Sequence, residues 1–215
     1  IPTNVTTDTP GGDSTHAAGT VLAIDPSSVS GGRAIDHDMA ALATLRVGRD
    51  DASVYHATIL KLIAFVFGYA LQSFTTEQEV NEGRGRIDIM ADNYAGSGLF
   101  QDLKQRFQAY HIPIECKNYS TDLGNEEYNQ IQSRLGPHKS RFGLVTCRTI
   151  TDKAAMLRHL KDRWRDQEVM ILVIDDSMVR TFVGLARQGQ HAQIEAHLRR
   201  LMRAIEQGMS DYDLG

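Results

Sequence analysis

Apolar positions along the chain follow two periods. Between Asp51 and Tyr69 they recur at helical spacing and thicken into a run, Ile59 to Leu71, of about 13 residues broken by Lys61. That is short of the roughly 20 residues a bilayer-spanning helix needs, so the run predicts a buried core helix with Asp51 as its N-cap. A shorter helix is expected before it, from Asp38 to Val47 and ending at Gly48. After Tyr69 the period shortens. Phe74 to Val80, Arg86 to Ala91 and Ile112 to Tyr119 predict three strands, with a short polar helix over Gln101 to Tyr110. Helix and strand then alternate. Asn125 to Leu135 is helical and stopped by Gly136-Pro137, and Phe142 to Cys147 is a continuous apolar run. Thr151 or Asp152 caps a helix to about Arg165, Val169 to Ile174 is a second apolar run, and a helix follows from Ser177 to Gln188. The apolar runs read as strands buried on both faces. In the last helix Ile194, Leu198, Leu201 and Ile205 form one apolar stripe. This order predicts an α/β sandwich with a mixed sheet flanked by helices.

Composition changes the picture at the N-terminus. Of the first 33 residues, 18 are Gly, Ser, Thr or Pro, so residues 1–35 read as a flexible linker or tail and residues 36–215 as the folded domain. Two cysteines in 215 residues cannot build a disulfide framework, which points to a reducing, cytoplasmic compartment; neither a membrane span nor a secretory signal is expected.

The candidate chemistry lies on the second and third strands. In Arg86-Ile87-Asp88-Ile89-Met90-Ala91 the isoleucines take one face and Asp88 the other. In Ile112-Pro113-Ile114-Glu115-Cys116-Lys117-Asn118-Tyr119 the same alternation buries Ile114 and Cys116 and sets Glu115 beside Lys117 on the opposite face. If the strands are neighbours, two carboxylates and one ammonium converge on a sheet surface. Converging carboxylates repel unless a cation joins them, and oxygen ligands with water suit Mg²⁺ or Mn²⁺. An adjacent Lys can orient or deprotonate an attacking water, so the natural reaction is phosphodiester hydrolysis. An acid-x-Lys triplet is expected about once by chance among 27 acidic residues and 23 basic ones of which six are Lys, and Asp102-Leu103-Lys104 is a second case. Its stretch lacks strand alternation; the context of 115–117 is what separates the two. A surface salt bridge between Glu115 and Lys117, with Asp88 a bystander, is the rival reading.

The stretch from Gly83 through Ile89, followed by Ile112 to Tyr119, resembles the PD-(D/E)xK nuclease superfamily, most of all its Mrr-like restriction endonuclease branch. The similarity continues through Phe142 to Thr146, Ala154 to Leu160 and Val169 to Asp176, spanning about residues 50–188. The resemblance implies a restriction-endonuclease-like three-layer sandwich with a central mixed β-sheet. It further implies a metal-dependent endonuclease cutting DNA, acting in restriction or antiviral defence, as a homodimer or within a larger defence complex. Asp88 and Glu115 would hold Mg²⁺ together with the Cys116 backbone carbonyl, and Lys117 would be the catalytic lysine. The family also tends to carry a Gln on the following helix; Gln130 and Gln132 both qualify, and Gln130 is preferred. One departure is His56, where the family often has a Glu early in the first core helix; Glu79 or Glu82 could supply that carboxylate. The alternative is a catalytically decayed module that binds nucleic acid or a partner protein.

Charge adds candidate substrate contacts. Arg134 to Arg165 holds nine Lys/Arg against Asp152 and Asp162, a local +7 that could meet a polyanion. From this segment come Lys139 and Arg141. Arg84 and Arg86 join them from the Gly83-Arg84-Gly85 turn, which precedes a strand and so is no phosphate-cradling loop. The eight histidines lack zinc-ligand spacing, and Cys116 and Cys147 are expected in the core.

Overall fold

The computed structural model describes residues 32–80 and 85–208, with the side chains of 77–80 and 85–87 outside the description. The proposed tail at 1–31, the turn at Gly83-Arg84-Gly85, Glu82 and the side chains of Glu79 and Arg86 therefore lie outside the described residues. Within them the chain is α/β: seven helices and one five-stranded mixed sheet in the order β1-β2-β3-β4-β5. No helix among the described residues is long and apolar enough to cross a membrane.

The strands are β1 (Leu71–Val80), β2 (Gly85–Asn93), β3 (His111–Lys117), β4 (Phe142–Cys147) and β5 (Met170–Asp175). β1, β2 and β3 pair antiparallel; β3, β4 and β5 run parallel. The helices are α1 (Gly32–Thr44), α2 (Ala52–Phe67), α3 (Gly98–Phe107), α4 (Asn125–Ser133), α5 (Lys153–Gln167), α6 (Asp176–Arg187) and α7 (His191–Gln207). Parallel neighbours need a crossover, and α4 and α5 supply it, so β4 and β5 are buried on both faces as their unbroken apolar runs predict. α4 packs on β3 and β4, whereas α2 packs on β1 and β3, and α6 on β5. The core is one continuous cluster, with Phe67, Phe100 and Phe182 meeting edge to face.

Several element boundaries depart from the apolar pattern, α3 among them, which runs Gly98–Phe107 where the pattern predicts Gln101 to Tyr110. α1 starts at Gly32, with Ile35 wholly buried and Asp38 paired at 3.3 Å to Lys61 of α2, so the domain begins before residue 36. It ends at Thr44 because the segment after it is held by Asn118, whose side-chain amide donates to the carbonyls of Arg46 and Gly48, each at 2.9 Å. The Gly48 N–H returns a bond to the Asn118 carbonyl. Asp51 precedes α2 as expected but does not cap it: its carboxylate accepts from the Arg46 backbone at 2.9 Å and from the Arg46 guanidinium. β1 begins at Leu71, three residues early, because its register shifts between Gln72 and Thr75. Ser73 there takes a left-handed φ of 50°, and the bulge hides the period of two.

One glycine fixes how closely α4 lies on the sheet. A Cβ at Gly143 of β4 would stand 3.1 Å from Ile131 Cδ1 and 3.3 Å from Leu135 Cδ2. Gly143→Val is expected to lift α4 and destabilise the fold by about 1–3 kcal/mol, read as a lower urea midpoint; an unchanged midpoint would contradict this packing.

Candidate active site

Register decides which side chains of β2 and β3 meet. The antiparallel ladder runs from Asp92↔His111 to Ile89↔Ile114, and Asp88 and Glu115 are the next residues of their two strands. The Asp88 carboxylate accepts the Cys116 backbone N–H at 2.9 Å through Oδ2. In an extended strand the N–H and C=O of one residue leave by the same edge, so the Cys116 carbonyl also faces the Asp88 side. The Cys116 side chain points the other way, into the core toward Tyr55 of α2, and burial pushes its thiol well above the ordinary range.

Glu115 and Lys117 share a face, as alternation predicts, but that face is not an open sheet surface. α4 covers it. Glu115 is 0 % exposed and Lys117 7 %. What α4 brings is Gln130, and its amide is the centre of the site. Its Nε2 donates to Glu115 Oε2 at 2.8 Å, while its Oε1 accepts from Lys117 Nζ at 2.7 Å. Lys117 Nζ itself lies 3.6 Å from the same Glu115 oxygen. One primary amide thus holds a carboxylate with its donor end and an ammonium with its acceptor end. Of the two glutamines considered, Gln130 makes these contacts.

Glu115 Oε1 is left differently. It is buried and accepts no hydrogen bond among the described residues; Arg134 Nε is 3.7 Å away, an ion pair beyond hydrogen-bond reach. Burial, and next the Asp88 carboxylate, push the Glu115 carboxyl up to about 7, against the opposing pull of Lys117 and Arg134. A buried carboxylate oxygen without a donor, beside a second carboxylate and a strand carbonyl, is an oxygen set that fits a divalent cation. Among the described residues no group of three or more His, Cys, Asp or Glu side chains could hold a metal. A strongly hydrated ion that takes one or two carboxylates and keeps several waters, as Mg²⁺ does, asks for no more protein ligands than this set.

The ring of His56 meets that of Tyr55 edge-on. The β1–β2 register sets Glu79 opposite Arg86, while Glu77 holds the position opposite Asp88. Lys139 and Arg141, expected to contact substrate, stand at the wrong end of the sheet. Arg141 immediately precedes β4, six positions before Cys147, the partner of Lys117, which is roughly 20 Å along a strand. Its guanidinium donates to the Arg106 carbonyl at 2.6 Å and pairs with Glu168 at 3.3 Å, and exposed Lys139 closes the turn with Gly136. The +7 segment assigned these residues by proximity in sequence, and β4 separates them from Lys117 in space. The rejected triplet lies on α3, where Asp102 pairs with Arg199 of α7 at 2.6 Å.

Arg134 is the site residue the pattern did not single out. Its signal was available: it follows Gln130 by four positions, one helical turn along the same face. The structure also changes one consequence of mutating Asp88. Repulsion between carboxylates alone predicts that Asp88→Ala stabilises the metal-free fold; the Cys116 N–H, however, would lose its acceptor, and Asp88→Asn is the variant that relieves the charge and keeps the bond.

The Glu115 carboxyl is raised in the folded chain, so its favourable contribution is present below the ordinary carboxylate range and is lost as pH rises through about 7. In metal-free buffer, Glu115→Gln is expected to melt higher than the wild type at about pH 8 and to converge with it at about pH 4.5. Thermal unfolding at both values checks this, and a Gln variant that melts lower at the higher pH contradicts it. No family model, curated protein or solved structure matches the chain.

Proposed function

We propose that this chain is an Mg²⁺-dependent endonuclease of the restriction-endonuclease-like fold, hydrolysing phosphodiester bonds in DNA in a restriction or defence role. The observation that carries the reading is the Gln130 bridge between Glu115 and Lys117, facing Asp88 across one strand ladder. A surface salt bridge needs no buried carboxylate, no second acid opposite it and no amide clamp. Asp88, Glu115 and the Cys116 carbonyl are the groups to hold the ion. When bound, the ion supplies an acidified water and charge neutralisation at the phosphoryl oxygen.

The chain's own residues supply the rest. Lys117 carries three N–H donors; one is committed to Gln130 and another faces Glu115, which leaves a third to orient the attacking water or a phosphate oxygen. Gln130 fixes the Lys117 head, so the ammonium does not have to be ordered at the moment of reaction. Asp88 is held through Oδ2 by the Cys116 amide. α4, lying over Glu115, excludes water from the carboxylate and strengthens every charge interaction around it.

A second reading, a catalytically decayed module binding nucleic acid or a partner protein, is favoured by one observation. Glu115 has no exposed surface and already faces two cations, Lys117 and Arg134.

Plasmid incubated with the protein in Mg²⁺, Mn²⁺ or EDTA separates the two. Cleavage is expected with either metal, none in EDTA, and a loss of at least about 100-fold in Lys117→Ala with its fold intact by circular dichroism. Cleavage by that variant at the wild-type rate overturns the nuclease reading. Absence of cleavage together with absence of any Mn²⁺ heat or thermal stabilisation selects the decayed module.

A further inference from the structure

The four charged groups of the site sum to zero before any metal enters: Asp88 and Glu115 against Lys117 and Arg134. They are not equivalent in geometry. On Glu115, Oε2 is occupied, with the Gln130 amide at 2.8 Å and Lys117 at 3.6 Å. Oε1 is the oxygen still able to ligate, and the group nearest to it is Arg134, at 3.7 Å through Nε. A guanidinium at that separation neutralises the carboxylate without spending the oxygen's lone pairs on a hydrogen bond. A divalent ion ligated by Oε1 would share that oxygen's surroundings with the Arg134 guanidinium. The two cations compete for one oxygen.

Arg134 is also placed so that it can leave. It is the C-cap residue of α4, beyond the last helical residue Ser133, and its side chain is 10 % exposed. A cation at a helix C-terminus is additionally favoured by the helix dipole, so withdrawing from Glu115 does not strand the charge.

We propose that Arg134 is a resident counter-cation for Glu115 that a divalent ion displaces, so that metal binding and release of Arg134 are one linked step. The inference rests on the nuclease reading and deepens it. With a divalent ion bound and Arg134 released, Asp88, Glu115, Lys117 and the ion would together carry one net positive charge, the amount that one phosphodiester anion neutralises. The released guanidinium remains within its own side-chain length of the reacting centre.

The test is Mn²⁺ titration calorimetry on the full chain and its Arg134→Gln and Arg134→Lys variants. Removing a neighbouring positive charge is expected to tighten Mn²⁺ binding about tenfold in Arg134→Gln, with Arg134→Lys close to wild type. In the wild-type protein, which needs no refolded variant, Mg²⁺ is followed by the nitrogen–proton resonance of Arg134 Nε, assigned by its loss in Arg134→Lys. It is expected to shift in step with the Cys116 amide. Equal or weaker binding by Arg134→Gln, or an Arg134 resonance unmoved at Mg²⁺ saturation, overturns the displacement while leaving the nuclease reading in place. Absence of ion binding to the wild type and both variants removes the nuclease reading, and this inference with it.

Discussion

A carboxylate with no exposed surface must find donors or cations inside the protein, and Glu115 imposes that demand on everything near it. The demand is met by the packing of α4 across β3 and β4. Gly143 lets the helix approach, Ile131 and Leu135 fill the contact, and Gln130, one residue before Ile131, reaches Glu115 and Lys117. The helix is held from its outer side as well. Arg163 of α5 lies 5.1 Å over the Tyr128 ring and donates to Asn129, so the two residues preceding Gln130 are pinned to α5. Polar chemistry at the site thus depends on apolar packing beneath α4 and on a stacked arginine above it.

The opposite face of the same sheet end holds a second buried ion pair. Asp176, at the start of α6, accepts from the Tyr55 hydroxyl at 3.1 Å and pairs with Arg148 at 3.3 Å. Burial pushes the Asp176 carboxyl up to about 6 despite Arg148. The Arg148 guanidinium also lies 5.2 Å over the Tyr55 ring and donates to the Leu45 carbonyl, tying α2, the segment after α1, β4 and α6 to one another. Parallel strands end together where their crossovers begin, so side chains from elements far apart in sequence gather at their C-terminal ends.

The basic segment shows how little linear charge says about surface field. Of its nine Lys/Arg, Arg134, Arg141, Arg148, Arg163 and Arg165 are engaged with Glu115, Glu168, Asp176, Asn129 and the Asp162–Asp166 pair respectively. These five are thereby directed into local pairings, three of them largely buried, and the stretch spreads over both ends of the sheet instead of forming one patch.

The α/β order and the alternation that sends Glu115 and Lys117 to one face of their strand were legible in the sequence, because period and burial are local properties that each segment carries alone; that β2 and Asp88 lie beside them was not. The sequence also determined β4 and β5, whose unbroken apolar runs leave no polar face to water. It could not say that the face carrying Glu115 is closed. Alternation distinguishes two sides of a strand but not whether a helix lies over one of them, and α4 meets β3 only through the crossover. The ends of α1 and β1 escaped for the same reason: Asn118 holds the segment after α1 from 70 or more residues away, and a bulge hides the period at Ser73. Tertiary structure alone decided that Arg134 stands at the Glu115 oxygen and that Arg141 stands a strand's length away, since charge has no period and its partners are chosen by packing.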